Sequence, residues 1–282
     1  MKRVYLSLWM GSLTLASFSQ KMPDVQVSNM IAPATIKIDG KISEWNDTFA
    51  AENKRTELFY SVANDDKNLY LVLKSSSTTA ANKIMMGGIT FLINTEGKKK
   101  EKDAVTITYP LIVRANRTQG GRGGQGQNRQ AGGGQGGFQN RAQQSAQQRD
   151  SVALVLHKNQ LVTVKEIKIS GFKAITDTLI SIYNEHGIKA VGSFDQKGIY
   201  NCEFAIPLNL LGLSASDTKE FAYQIKVNGL SNMNFGGGFG GNGGGFGGNG
   251  RGGGFRGGNN ANSGQDLMSA TDFWGKYILA KK

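Results

Sequence analysis

Short runs in which apolar and polar side chains alternate one by one recur along this chain, which constrains its fold more than any other feature. Leu58, Tyr60 and Val62 share one parity; so do Leu69, Leu71 and Leu73, then Ile89, Phe91 and Ile93, then Val105, Ile107 and Tyr109. The rule continues through Ile180 and Ile182, residues 199–206, and Phe221, Tyr223, Ile225 and Val227. Val162 and Val164 follow it too, and the runs at 152–156 and 273–279 read as strands. A period of two places alternate side chains on opposite faces of a strand. Turn signals bound the runs: residues 94–97, 184–187 and 195–198 each end in Gly and read as turns, the last two as hairpins. No amphipathic helix of ten residues stands out, and the best helical candidate is a single turn from Pro207 closed by Gly212. Roughly ten strands without βα alternation predict an all-β fold, an antiparallel two-sheet sandwich of jelly-roll-like form.

Two long tracts interrupt the pattern. Residues 117–150 are rich in Gly, Gln and Arg, and residues 231–264 in Gly, Asn and Phe; they hold 10 and 17 of the 39 glycines. Such composition cannot bury enough apolar surface to offset the entropy of ordering it. The expectation is two disordered loops inserted in one domain spanning 20–282, because strand-like sequence resumes after each. Loop closure entropy grows only logarithmically with length, so a sandwich tolerates such insertions.

Lys2 and Arg3 followed by an apolar run to Phe18, with Ser17 and Ser19 before a cut at Gln20, form the pattern of a secretory signal peptide over residues 1–19. Export to the periplasm, cell surface or outside is expected, with no transmembrane segment in the mature chain. Removing the leader lowers the excess of basic residues from +12 to +10, and the five arginines of the first tract supply part of it. The Arg-Gly-Gly and Phe pattern of the second tract has the composition of single-strand-binding segments, but an exported chain meets little RNA, so no nucleic-acid partner is expected. Cys202, the single cysteine, lies in an alternating run and is expected to be buried. No G-x-S-x-G, H-E-x-x-H or phosphate-binding loop is present, so no catalytic constellation is recognised.

Three segments carry a resemblance. Asp39-Gly40-Lys41-Ile42-Ser43-Glu44-Trp45 leads into the hairpin Asn64-Asp65-Asp66-Lys67-Asn68-Leu69-Tyr70; later come Glu203-Phe204-Ala205-Ile206-Pro207 with Leu210-Leu211-Gly212, and a closing strand around Trp274. Together they resemble the family 9 carbohydrate-binding modules and the related DOMON-like sandwiches. The resemblance implies a sandwich framed by Asp39, Gly40, Glu44, Trp45, Tyr70, Pro207 and Trp274. It also implies a glycan or envelope polymer as ligand, calcium as a structural ion, and for DOMON relatives haem. Trp45 is expected in the core. Tyr109, Tyr183, Tyr200 or a tract Phe are candidate sugar platforms, and the sequence does not choose among them. Asp39, Glu44, Asp47, Asp65 and Asp66 are the candidate calcium ligands, since Ca²⁺ takes six to eight oxygens. No D-x-D-x-D-G loop is present, and Asp39 and Asp65-Asp66 also suit turns. His157, His186, Met85 and Met86 are the residues haem would need; two His without C-x-x-C-H disfavour it. A scaffold of the cell envelope that presents the Gly-rich loops is the alternative function.

Overall fold

A computed structural model describes residues 21–112, 146–230 and 267–281. The expected leader and the second tract lie outside these residues, as does the first tract up to residue 145. Eleven strands and two helices are described. In chain order they are β1 (Ala51–Asn53), β2 (Leu58–Asn64), β3 (Asn68–Ser75), α1 (Thr78–Gly87), β4 (Ile89–Asn94) and β5 (Val105–Tyr109). There follow α2 (Ala146–Thr163), β6 (Glu166–Ser170), β7 (Leu179–Ser181), β8 (Lys189–Phe194), β9 (Tyr200–Pro207), β10 (Phe221–Val227) and β11 (Thr271–Tyr277). One sheet has the order β1-β2-β3-β9-β8 and the other β11-β10-β4-β5-β6-β7. Every strand pairing is antiparallel, so the two-sheet sandwich expected from the alternation is the fold.

The inner faces interlock through aromatic rings. Tyr60 lies 6.3 Å from Tyr223 and 4.9 Å from Phe273, and Phe91 lies 6.4 Å from Phe204, each pair reaching across the two sheets. Cys202 is fully buried among them, as expected, and burial pushes its thiol up to about 12. At the edge, Gly275 leaves room for the Tyr223 ring: a Cβ there would sit 2.1 Å from it.

The five-stranded sheet is covered on both faces. Residues 30–49 cross its outer side and lay Ala32, Trp45 and Phe49 on Ala63, Tyr70, Val72 and Ala205. β2, β3 and β9 are therefore buried at nearly every position, although their alternation suggested one wet face. Residues 36–38 join no ladder.

Several local expectations are corrected. Residues 152–156 and 162–163 are helical, not strands, and the same helix carries His157. The last five residues of the first tract, 146–150, belong to the same helix. α2 packs one side on the sandwich: Leu161 is buried and the His157 ring stacks on Phe194 at 5.5 Å. Tertiary contact with β8 selects the helix, overriding the β-branched Val152, Val155 and Val162. α1 is a second missed helix. Ser77 caps it by accepting the Ala80 N–H, and Gly88, at φ 76°, ends it. The turn at 184–187 joins β7 and β8, which lie in different sheets, so it is not a hairpin. The turn at 195–198 is one, and the short turn after Pro207 forms as read, with Gly212 left-handed.

Candidate functional site

Two of the three segments that carry the resemblance, far apart in sequence, meet at one carboxylate. Glu203 lies on the outer face of β9, opposite Val72 and Val191 of its neighbours. The covering segment closes over it, leaving it 1 % exposed. Trp45 Nε1 donates to Oε1 at 3.0 Å, while the backbone N–H groups of Gly40 and Asp39 donate to Oε2 at 3.0 and 3.2 Å. The Asp-Gly turn, with Gly40 at φ 81°, aims both N–H groups at one oxygen. Ser193 Oγ secures the turn from the other side by donating to the Gly40 carbonyl. Burial pushes the Glu203 carboxyl up to about 7, although all three donors and above all the Trp45 N–H pull it back down. In the sequence Glu203 stands only as one letter of a motif. The missed signal is that a Glu in an otherwise apolar strand needs buried donors, which the D-G-x-x-x-E-W turn supplies. Trp45 itself is in the core, 5 % exposed.

The candidate calcium ligands are spread out and engaged. Asp39 Oδ1 accepts the Lys41 N–H, Glu44 accepts from Ser43 Oγ, and Asp47 pairs with Lys74. Asp65 caps the β2–β3 hairpin, accepting from the N–H groups of Lys67 and Asn68 and from the Tyr70 hydroxyl, each at 2.7 Å. Among the described residues no three His, Cys, Asp or Glu side chains gather as a metal group. Asp66 lines an open cleft of about 560 Å³ between that hairpin and the turn after Pro207. His157, His186 and Met85-Met86 lie on α2, in the β7–β8 turn and on α1.

Of the candidate sugar platforms, Tyr109 and Tyr200 are buried in the core, whereas Tyr183 is 82 % exposed. Trp274, expected within the framework, is half-buried on the outward face of the six-stranded sheet. Phe273 points inward at Tyr60, so its neighbour must face out. Across from Trp274 on β10 is Gln224. Its Nε2 donates to Asp272 Oδ2 at 2.7 Å, and its Oε1 is buried with no hydrogen-bond partner. An acceptor left this way costs about 1–3 kcal/mol. Arg55 Nη2 lies 3.8 Å from Asp272, and the Lys226 ammonium lies 3.3 Å from Glu101. The β4–β5 loop that carries Glu101 is tied down by Asn94 Nδ2, which donates to the Lys100 and Lys102 carbonyls at 3.1 and 3.3 Å. The loop forms a rim beside the sheet face. Neither Gln224 nor Asp272 stands out in the sequence, because a polar residue on alternate positions reads as an ordinary wet face.

No protein-family model matches the chain, and no curated protein matches it. Among the described residues no helix is long and apolar enough to cross a membrane.

Proposed function

We propose that this protein is an exported, non-enzymatic binding module whose ligand is a glycan. One observation carries the reading. The first two of the three segments that resemble family 9 carbohydrate-binding modules, the Asp39–Trp45 turn and the β9 strand, are joined through Glu203, so these two act as one structural frame rather than as separate chance matches. The sandwich is consistent with that family, and function rests on the site, not the fold. The mature chain, run in affinity gels cast with plant, algal and bacterial polysaccharides, is expected to be retarded by at least one class. Unchanged mobility in every gel, with the circular dichroism of a folded β protein, removes the glycan reading.

A second reading is an interaction protein of the cell envelope. It is favoured by α2, where Val152, Val155, Leu156 and Val162 are each more than half exposed. Such residues rarely face water together without a use. This reading gains if the gels show no retardation while α2 variants alter retention in the envelope fraction. A haem-binding role, drawn from the DOMON resemblance, predicts a Soret band after haem addition; its absence retires that role.

A further inference from the structure

We propose that the glycan site is the shelf on the outward face of the six-stranded sheet, where a pyranose ring lies on Trp274 and places hydroxyls on Gln224 and Asp272. The assignment rests on the glycan reading above and names its place. Trp274 is the one tryptophan of the described residues that is not closed in the core, and it stands on a strand, which holds its ring in a fixed orientation. Beside it Gln224 is 4 % exposed, and its amide is oriented by the bond to Asp272, which leaves the carbonyl oxygen without a donor. A buried acceptor of this kind calls for a donor, which a water or a ligand hydroxyl supplies.

The donor set decides the ligand class. Gln224 Oε1 and Asp272 are acceptors beside Trp274, and Glu101 pairs with Lys226, which stands across from Asp272 on the same pair of strands. The two acceptors call for an uncharged ligand rich in hydroxyl donors with an apolar face for the indole, which describes a sugar ring. An anionic ligand would find the two cations of the shelf, Arg55 and Lys226, already paired with Asp272 and Glu101. The Glu101 side chain is 62 % exposed, so its arm can leave Lys226 and free that ammonium as a further donor at the shelf. Arg55, with 68 % of its side chain exposed beside Asp272, gives the shelf a donor for a second ring. Aromatic faces with planar polar groups at their edge are the usual anatomy of a specific small-ligand site.

The test is isothermal titration of the mature chain and of Trp274→Ala, Gln224→Ala and Tyr183→Ala with xylo-, cello-, manno- and chito-hexaose, after thermal melts confirm that each variant is folded. Binding by the parent chain, with a loss of about tenfold or more in affinity for Trp274→Ala and Gln224→Ala and none for Tyr183→Ala, is the expected result. Binding that all three variants retain, or that only Tyr183→Ala loses, overturns the shelf while the glycan reading stands. Absence of binding to any of the four by the parent chain overturns the shelf for these sugars; retardation in the polysaccharide gels then decides whether the glycan reading survives it. If Trp274→Ala does not fold, Gln224→Ala alone decides, together with quenching of the Trp274 fluorescence by the bound oligosaccharide in the parent chain.

Discussion

Replacing Trp45 by Phe probes the clamp on Glu203 directly. The ring stays apolar, but Glu203 Oε1 loses the N–H that reaches it at 3.0 Å. Losing the larger ring from a site only 5 % exposed costs about 1 kcal/mol. Losing a neutral hydrogen bond costs about another 1 kcal/mol. At pH 5, where a carboxyl raised to about 7 is protonated in the folded protein, these two losses are the whole effect, about 2 kcal/mol. At pH 8 the parent is ionised, and the Trp45 N–H serves a charge. The variant can escape only by binding a proton, which at one unit above a pKa of about 7 costs a further ~1.4 kcal/mol at most. The total is then about 3.5 kcal/mol. For a domain in the 150–250-residue range each kcal/mol lowers Tm by about 2–4 °C. Melts followed by circular dichroism should therefore fall by about 4–8 °C at pH 5 and by about 7–14 °C at pH 8. Equal losses at the two pH values would show that the N–H does not act on the ionised carboxylate.

The remaining predictions concern the same frame and the core. Because the folded Glu203 carboxyl is raised to about 7, its neutral form stabilises the fold fully below about pH 4.5, and that contribution is lost as pH rises to about 7; Glu203→Gln should flatten the fall in Tm over this window, and an unchanged slope would place the titration elsewhere. Gly275→Ala should cost about 1–3 kcal/mol in urea melts, since its Cβ would press on the Tyr223 ring; a neutral outcome would mean that Tyr223 moves freely. Tyr60→Phe removes the acceptor of the Gln26 N–H as well as the 3.1 Å contact with the Tyr223 hydroxyl, so it should cost about 1 kcal/mol more than Tyr223→Phe in chemical denaturation; the reverse order would refute that accounting. Leu161→Ala should cost about 2–3 kcal/mol if α2 is integral to the domain, and a change below about 0.5 kcal/mol would show that the helix packs only loosely.

Much of the sandwich was legible because a strand with one face on the inner core places its large apolar side chains with a period of two, as Phe221-Tyr223-Ile225-Val227 and Ile89-Phe91-Ile93 do. The turns at 195–198 and after Pro207 were legible for a similar reason, since Gly and Pro fix backbone angles locally. α2 was not, because Val152-Ala153-Leu154-Val155-Leu156 has no period of its own and its helical state depends on contact with β8. The outward Gln224 and Asp272 were equally silent: their meaning comes from standing beside Trp274, across a pairing that no local pattern encodes.

Which residues alternate, where the chain turns, and that Trp45 and Cys202 are buried all follow from near-neighbour chemistry written along the chain. That Glu203 receives the Trp45, Gly40 and Asp39 donors, and that Trp274 faces outward, follows from the folded packing alone. Those outcomes depend on which strands pair and what covers them, and contacts between residues about 160 positions apart are set by the packing of the whole domain.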